Sequence, residues 1–186
     1  GKRFCLSRAP EIIGIDFKKV YDSMQNHICI LFCISHQTRE IVHWNVTYNP
    51  NKQWLENQLK ELSSDGITKT IIRDNDVVFD SVNFGNYDLI DKPIPSHSPN
   101  HNAITERFIK TFTDEALVYF ANPGLKTVRW ICKEFITYYN NYRPHQRIGI
   151  VTIPTFKKQL QGKKPNSKNK TIHSGPLQEK HFLDGH

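Results

Sequence analysis

Three acidic residues stand where the sequence predicts that they meet. Asp16 closes the strand-like run "EIIGIDF", Asp74 directly follows "TKTIIR", and Glu106 lies in the helical stretch "NAITERFIKTFTDEALVYF". At roughly 100° per residue, Glu106 is about 200° from Ile104 on the apolar face, so it faces away from the core. Residues outside strand ends of an α/β sheet are where ligands gather. Converging carboxylates repel one another unless a divalent cation compensates them, and hard oxygen ligands suit Mg²⁺ or Mn²⁺. A pair of such ions supports phosphoryl transfer.

The same residues have a simpler explanation. An Asp at the end of a strand often does no more than cap a turn or the helix that follows. From the residues alone, a metal site and a set of caps therefore both remain open.

The hydrophobic pattern indicates the elements that position these residues. Runs rich in β-branched and aromatic residues, separated by short polar connections, predict antiparallel strands at 11–17, 27–34 and 40–48. Leu55, Leu59 and Leu62 at helical spacing then predict a helix, with Asn49 near its start and Gly66 after its end. The run 68–73 returns to a buried strand, so a β-α-β crossover joins the third strand to the fourth.

Two longer helices follow an irregular segment that contains Pro93, Pro95 and Pro99. The apolar face of the first helix comprises Ile104, Phe108, Phe112 and Tyr119. Its opposite face carries Glu106 together with Asn102 and Lys110. The second helix, residues 126–142, packs through Val128, Ile131, Phe135 and Tyr138 or Tyr139.

Length and charge limit the class of protein and its partners. A chain of 186 residues with 38% hydrophobic content can bury one sizeable core and leave a tail. A net charge of +7 and a pI near 9.2 favour a polyanionic partner, either nucleic acid or an anionic membrane surface. Positive charge concentrates late in the chain, because residues 135–178 contain eight Lys or Arg and no Asp or Glu. No apolar run approaches the roughly 18 to 20 residues of a membrane-spanning helix, so we expect a soluble intracellular protein.

Cysteine usage argues against a disulfide framework and against structural zinc. The cysteines are sparse, and no C-x-x-C or Cys/His grouping has zinc spacing. Cys29 and Cys33 have an even spacing within a predicted strand, which places both on one face. We expect them to be buried, reduced thiols.

Four segments, in order, resemble the catalytic core of the DDE recombinases, the retroviral-integrase-like transposases of bacterial insertion elements. "IIGIDF" resembles the first Asp motif, and "IIRDNDVVFDSVNF" resembles the second, D-N-G-x-x-F. "SPNHNAITERFIKTFTDEAL" resembles the third, in which a helix carries N-x-x-x-E-R. "YYNNYRPHQRIGIVTIP" resembles the Y-N-x-x-R-P-H segment that follows this core. The resemblance runs from about residue 11 to 156.

The resemblance implies an α/β protein of RNase H-like fold, a mixed five-stranded sheet flanked by helices. It also implies a metal-dependent DNA strand transferase that cleaves phosphodiester bonds at mobile-element ends and joins 3′-hydroxyl ends to target DNA by in-line attack. Asp16 would bridge two Mg²⁺ or Mn²⁺ ions, Asp74 would bind one and Glu106 the other. The implied partners are double-stranded DNA and further copies of the chain on that DNA, with no membrane. The implied location is the bacterial cytoplasm, at the nucleoid.

DNA contacts are also implied. Asn102 would lie near the scissile phosphate, and Lys110 would meet the phosphate backbone unless it pairs with Glu106 at i, i+4. Arg143 and His145 would contact DNA or brace the end of the last helix. The basic tail adds two expected DNA contacts, Lys157 and Lys158.

The sequence departs from the family pattern in three places. Asp76 replaces the usual Gly and is either a fourth ligand or a turn residue, the turn being favoured. The stretch between Asp74 and Glu106 is shorter than usual, and Thr113 stands where many members carry a basic residue. The alternative function is therefore a catalytically decayed or domesticated core that binds DNA without cutting it.

We predict three regions: an N-terminal extension at 1–10, the catalytic core at 11–142, and a basic, partly flexible C-terminal extension at 143–186. Nothing before Asp16 is long enough to form a separate module for recognising DNA ends. We therefore expect that such recognition resides on a segment outside this sequence or on a partner.

Overall fold

The computed structural model describes residues 9–95, 102–146, 171–173 and 179–181, with side chains described for 9–95 and 102–142. The strands are β1 (Glu11–Tyr21), β2 (His27–Ser35), β3 (Ile41–Thr47), β4 (Lys69–Arg73), β5 (Leu89–Pro93), β6 (Thr171–His173) and β7 (Glu179–His181). The α-helices are α1 (Lys52–Leu62), α2 (Val77–Asp80), α3 (Ala103–Glu115) and α4 (Leu125–Gln146). Short 3₁₀ helices lie at Phe84–Tyr87 and Leu117–Tyr119.

Five strands form one mixed sheet in the order β3-β2-β1-β4-β5, and β6 pairs separately with β7. The three predicted antiparallel strands are confirmed, because β1 pairs with β2 and β2 with β3 in antiparallel register. β4 lies parallel to β1, and β5 lies parallel to β4. The predicted crossover through α1 is also confirmed, and it carries the chain from the edge strand β3 past β2 and β1 to β4.

Helices cover both faces of the sheet. On one face, α3 and α4 pack Phe108, Phe112 and Phe135 against Phe32 of β2 and its neighbours. On the other face, α1, α2 and the first 3₁₀ helix pack with apolar side chains of β1, β2 and β4. Because successive side chains of a strand point to opposite faces, β2 is buried on both sides. In the part of the chain that the structure describes, no helix has the length and apolar character needed to cross a membrane.

Three differences from the sequence prediction concern the unpredicted strand β5 and the ends of α3 and α4. β5 lies in the segment expected to be irregular, and its Pro93 is tolerated because β5 is an edge strand. α3 ends at Glu115, so Tyr119 lies in the second 3₁₀ helix and not on the predicted face of α3. α4 continues four residues beyond the predicted end at 142, while the division into regions at that point stays a prediction.

One amide attaches α4 to the edge strand β3. Asn140 Oδ1 accepts the N–H of Ile41 at 3.0 Å, and Asn140 Nδ2 donates to the carbonyl of the same residue at 3.0 Å. Asn140 is the Asn of the Y-N-x-x-R-P-H segment. That position of the segment therefore has a structural role in this chain, because it satisfies both backbone groups at the start of β3.

Candidate active site

Asp16 lies inside β1 and not at its exit, where the sequence predicted it. β1 continues to Tyr21 because it remains paired with β2. Its parallel pairing with β4 is shorter and ends with Gly14 opposite Ile72. Asp16 and Asp74 each lie two residues beyond that last pair. The register of the sheet therefore brings both residues to the same end of the β1–β4 pairing.

Asp74 follows β4 directly, as predicted, and is exposed. Its Oδ1 accepts the backbone N–H of Asp76 at 3.1 Å. Asp76 caps α2, because its Oδ1 accepts the N–H of Val78 at 3.0 Å. Asp76 thus has the turn role that the sequence favours, and the turn it forms fixes the backbone next to Asp74.

Asn102 is buried, whereas the helical spacing predicted it on the exposed face beside Glu106. It is 4% exposed. Its Nδ2 donates to the carbonyl of Ile15 at 3.2 Å, and its Oδ1 accepts the hydroxyl of Thr105 at 2.5 Å. Helical spacing does not apply to Asn102, because α3 begins at the next residue and Asn102 has φ −117° and ψ 24°. Asn102 attaches α3 to β1, and its contact with DNA stays a prediction.

Gly14 allows α3 to approach β1 this closely. A Cβ at Gly14 would lie 2.1 Å from Thr105 Oγ1 and 2.6 Å from Asn102 Oδ1, so a larger residue displaces the helix. Asp16, two positions along the strand, faces the same side of the sheet as Gly14. Glu106 is exposed in the first turn of α3. The contact between Gly14 and the start of α3 therefore brings Glu106 towards Asp16.

The electrostatic environment of Asp16 reflects this convergence. The pKa of Asp16 is raised from its ordinary 3.8 to about 6. Burial is the main cause, the N–H of Phe17 donated to Asp16 Oδ1 at 2.7 Å acts in the opposite direction, and the charges of Asp74, Glu106 and Asp76 add to the rise. Acidic groups directly after β4, at the N-cap of α2 and in the first turn of α3 therefore all act on one carboxylate of β1.

The three carboxylates supply the oxygen ligands that hard divalent cations prefer. Within the described ranges, however, no group of three or more His, Cys, Asp or Glu side chains is arranged to hold a metal ion. The donor chemistry nevertheless fits. Among the described residues, Asp16 and Asp74 each accept one backbone N–H on Oδ1, which leaves the other carboxylate oxygen of each for a cation. A cation between them would also relieve the charge repulsion that adds to the effect of burial on the pKa of Asp16.

The structure describes only some of the side chains that are predicted to contact DNA. Lys110 is exposed on α3 and pairs with Asp114, one turn later, and not with Glu106. Arg143 and His145 lie in the last part of α4, but their side chains are outside the described residues. Lys157 and Lys158 are outside the described residues altogether.

Two residues at the site carried a sequence signal that the prediction did not use. Gly14 interrupts a run of β-branched residues, and a Gly inside a strand often marks a close approach of backbone to another element. Arg73 is a base directly before Asp74 in a run of acids. It is buried, with 5% exposure, and the motif resemblance says nothing about it.

Comparison with known proteins gives two kinds of similarity. Residues 91–152 match the family model of the integrase core domain, a segment that includes Glu106 but neither Asp16 nor Asp74. No curated protein sequence matches the chain. Among solved structures, the chain is similar to a chain of the simian T-cell lymphotropic virus intasome in complex with PP2A regulatory subunit B56 gamma. That match has a TM-score of 0.54 and 9% identity and covers 84% of this chain and 56% of the other. The chain thus spans little more than half the length of that relative.

Two further structures are similar over a shorter part of the chain. The HTLV-2 integrase catalytic core domain in complex with magnesium has 15% identity and a TM-score of 0.45, covering 58% of this chain and 70% of the other. The catalytic core domain of BIV integrase has 11% identity and a TM-score of 0.42, covering 59% and 70%. The mixed five-stranded sheet flanked by helices is the RNase H-like fold that the sequence resemblance implied, and the intasome chain shares this fold.

Proposed function

We propose that the protein is a metal-dependent DNA strand transferase of the transposase and integrase type. It would cleave phosphodiester bonds at the ends of a mobile element and join the 3′-hydroxyl ends to target DNA. The observation that carries this proposal is geometric: Asp16 and Asp74 lie at the same end of the β1–β4 pairing, and Glu106 lies in the first turn of α3, the helix that Asn102 attaches to β1. Burial is the main cause of the raised pKa of Asp16, and the charges of Asp74 and Glu106 add to it. The integrase-core match and the RNase H-like fold support the same reaction class.

Asp16, Asp74 and Glu106 would hold Mg²⁺ or Mn²⁺. Such ions, when bound, activate a nucleophile at neutral pH and stabilise charge on the reacting phosphate. The protein supplies orientation: Asp16 is fixed on a central strand, and Glu106 is carried by a helix that Asn102 holds on β1. Water or a DNA 3′-hydroxyl attacks the phosphorus in line, the bond from phosphorus to the 3′-oxygen of the cleaved strand breaks, and that oxygen leaves as a 3′-hydroxyl. No carboxylate of the protein forms a bond to DNA.

The proposed partner is double-stranded DNA, held by several copies of the chain because cutting and joining involve two DNA ends. Lys110 is suited to a phosphate contact, since its ion pair with Asp114 is exposed. An exposed pair of this kind contributes only about 0.3 to 0.5 kcal/mol, so a DNA phosphate can replace Asp114. Arg143, His145, Lys157 and Lys158 extend the proposed contact. Because the sequence resembles bacterial insertion-element proteins, the proposed location is the bacterial cytoplasm, at the nucleoid.

A Mn²⁺ titration followed by thermal unfolding tests the shared site. Metal at ~100 Kd adds about 2.7 kcal/mol to the unfolding free energy of a protein that binds it only when folded, which raises Tm by roughly 5 to 10 °C for a domain of this size. We expect wild type to show this gain and Asp16→Asn, Asp74→Asn and Glu106→Gln to lose it. The titration is repeated with a short DNA duplex, because DNA can complete the site.

Cutting and joining of labelled duplex DNA provide the second readout. The three variants are expected to fall to background, whereas Glu61→Gln keeps wild-type activity, because Glu61 is an exposed acid on α1, on the other face of the sheet. If wild type gains no stability from Mn²⁺ and cuts no DNA when both the metal and the duplex are present, the proposed activity is excluded.

A core that binds DNA without cutting it is the second candidate. It is favoured by the side-chain arrangement, since the described residues hold no ready three-ligand group. This candidate predicts DNA binding that is unchanged by EDTA and by Asp74→Asn. The strand transferase instead predicts that both treatments stop cutting and joining.

A further inference from the structure

Arg73 is a buried cation at the end of the strand that presents Asp74. It is the last residue of β4 and only 5% exposed. A buried guanidinium is costly unless its N–H groups find partners. The fold must therefore supply hydrogen-bond partners for the Arg73 guanidinium.

Four hydrogen bonds hold the Arg73 guanidinium in one orientation. Nε and Nη2 donate to the two carboxylate oxygens of Asp91 on β5, at 2.8 and 2.9 Å. Nη1 donates to Asp80 Oδ1 at 2.8 Å and to the backbone carbonyl of Asp74 at 3.0 Å. The guanidinium carbon also lies 5.4 Å from the centroid of the Phe84 ring. A planar fork of donors engaged on this many sides cannot rotate without breaking several contacts.

These contacts join three elements at one point. Asp91 belongs to β5 and Asp80 to α2, and the carbonyl belongs to Asp74 itself. The guanidinium donates to the carboxylates of Asp91 and Asp80 and to the carbonyl of Asp74. None of these hydrogen bonds neutralises the Asp74 carboxylate. Arg73 therefore restrains the backbone of Asp74 without binding its carboxylate.

We infer that Arg73 is a positioning residue for Asp74, fixing the turn after β4 so that the Asp74 carboxylate is held beside Asp16. The functional part of this inference rests on the proposed function, because the position of Asp74 matters to catalysis only if Asp74 is a ligand. The restraint on the turn itself does not depend on the reaction.

Lys69 provides a matched control on the same strand. It is 3% exposed at the opposite end of β4, and its Nζ donates to Asp65 at 2.6 Å and to the carbonyl of Ile67 at 3.2 Å. Arg73→Met and Lys69→Met each remove one buried cation from β4. Only Arg73→Met removes it next to Asp74. If the buried cations only stabilise the fold, both variants should change metal binding and cutting alike. If Arg73 positions Asp74, only Arg73→Met should change them.

The experiment measures Tm, the Mn²⁺ Kd and DNA cutting for wild type and both variants. Residues that orient metal ligands typically change metal affinity or activity by about 10- to 100-fold when replaced. We expect Arg73→Met to weaken Mn²⁺ binding and to slow cutting by that factor, and Lys69→Met to stay within about 3-fold of wild type at a comparable loss of Tm. Equal effects in the two variants, or an unchanged Kd in Arg73→Met, would overturn the inference.

Two further variants keep the test decisive if Arg73→Met does not fold. Asp91→Asn preserves shape but weakens the bidentate contact, and Arg73→Lys keeps the charge but cannot form the fork. Both are expected to show a smaller loss in the same direction, and two variants with wild-type Kd and cutting would contradict the positioning role.

Amide hydrogen exchange separates the two proposals. The N–H of Asp76, which donates to Asp74 Oδ1, should exchange faster in Arg73→Met than in Lys69→Met. If wild type neither binds Mn²⁺ nor cuts DNA but this difference is present, the proposed function fails and the structural restraint stands. If the exchange rates of the two variants are equal, the inference about Arg73 fails whatever the activity.

Discussion

Asp16 is the carboxylate of the candidate site that the fold takes out of water. Ile15, which precedes it in β1, and Phe32, which is opposite it in β2, are buried, and its strand is central in the sheet. Burial and the charges of Asp74, Glu106 and Asp76 favour its protonated form, which is why its pKa is raised to about 6. When Asp16 is ionised, it lowers the stability of the fold. A bound cation would offset this cost, because its positive charge compensates the repulsion between the carboxylates.

The pH dependence of stability follows from this shift. The folded-state pKa of about 6 lies above the ordinary value of 3.8, so the folded protein binds the proton more tightly than the unfolded chain. The favourable contribution of Asp16 is therefore fully present below pH 3.8 and is lost as the pH rises through about 6. At pH 7 the ionised carboxylate lowers the unfolding free energy by about 3 kcal/mol.

Asp16→Asn is therefore expected to be more stable than wild type at pH 7 without metal, by about 1 to 3 kcal/mol. The amide cannot ionise, so the difference should shrink as the pH falls from 6 to below 4. Urea unfolding in EDTA at pH 7 and pH 4 measures it, with Glu61→Gln as an exposed-acid control. A variant that is equally stable or less stable than wild type at pH 7 contradicts the assigned environment of Asp16.

At the scale of elements, the seating of α3 on β1 decides where Glu106 lies. Gly14→Ala is expected to destabilise the fold by about 1 to 3 kcal/mol, the usual cost of overpacking, because its Cβ would meet Thr105 Oγ1 at 2.1 Å. It should also abolish DNA cutting, since the first turn of α3 must move and Glu106 moves with it. Urea unfolding and the cutting assay measure the two effects.

Gly124→Ala is the matched control for this substitution. A Cβ at Gly124 has nothing within 4 Å, and Gly124 precedes α4 and is remote from β1 in sequence. We expect wild-type cutting and little change in unfolding free energy. If Gly14→Ala keeps full cutting activity, then the close contact between β1 and α3 does not set the position of Glu106.

The elements that sequence reasoning predicted are those with a strong periodic signal. β1 to β4, α1, α3 and α4 follow from β-branched runs and from apolar residues at helical spacing. β5 lacks such a signal, because only Leu89 of its five residues is buried and the strand contains Asp91, Lys92 and Pro93. Its existence depends on parallel pairing with β4 and on the Arg73–Asp91 contact, both of which are tertiary.

The sequence predicted which acidic residues form the candidate site, but not the contacts that hold them in place. Asp74 and Glu106 lie where the sequence indicated, while Asp16 lies inside a strand because the antiparallel hairpin extends beyond the parallel pairing. Asn102 was predicted on the wrong side because the helical wheel was extended one residue beyond the start of α3. Contacts between residues distant in the chain, such as Asn140 with Ile41, leave no local pattern that a single sequence can reveal.

At the scale of the whole molecule, the charge distribution allows the proposed DNA binding to be tested separately from the proposed catalysis. Residues 135–178 contain eight Lys or Arg and no Asp or Glu, so this segment carries more than the whole net charge of +7. Phosphate contacts release counterions, so the logarithm of the DNA association constant falls linearly with the logarithm of the salt concentration, with a slope of about −0.9 per phosphate contacted. The slope therefore counts phosphate contacts, whereas the proposed cutting would depend on the acidic site.

Lys157→Ala combined with Lys158→Ala is expected to reduce the magnitude of that slope by about 1.8, if each lysine contacts one phosphate. Lys52→Ala combined with Lys60→Ala removes the same charge from exposed positions of α1, on the other face of the sheet from α3, and should change the slope little. DNA binding measured by fluorescence anisotropy from 50 to 300 mM salt, in EDTA so that no DNA is cut, gives both slopes. Equal reductions in the two double variants would mean that total charge, and not a defined basic segment, holds the DNA. A reduction confined to the Lys157 and Lys158 variant would instead assign a DNA-contact role to the basic segment, separate from the carboxylates that the proposed reaction requires.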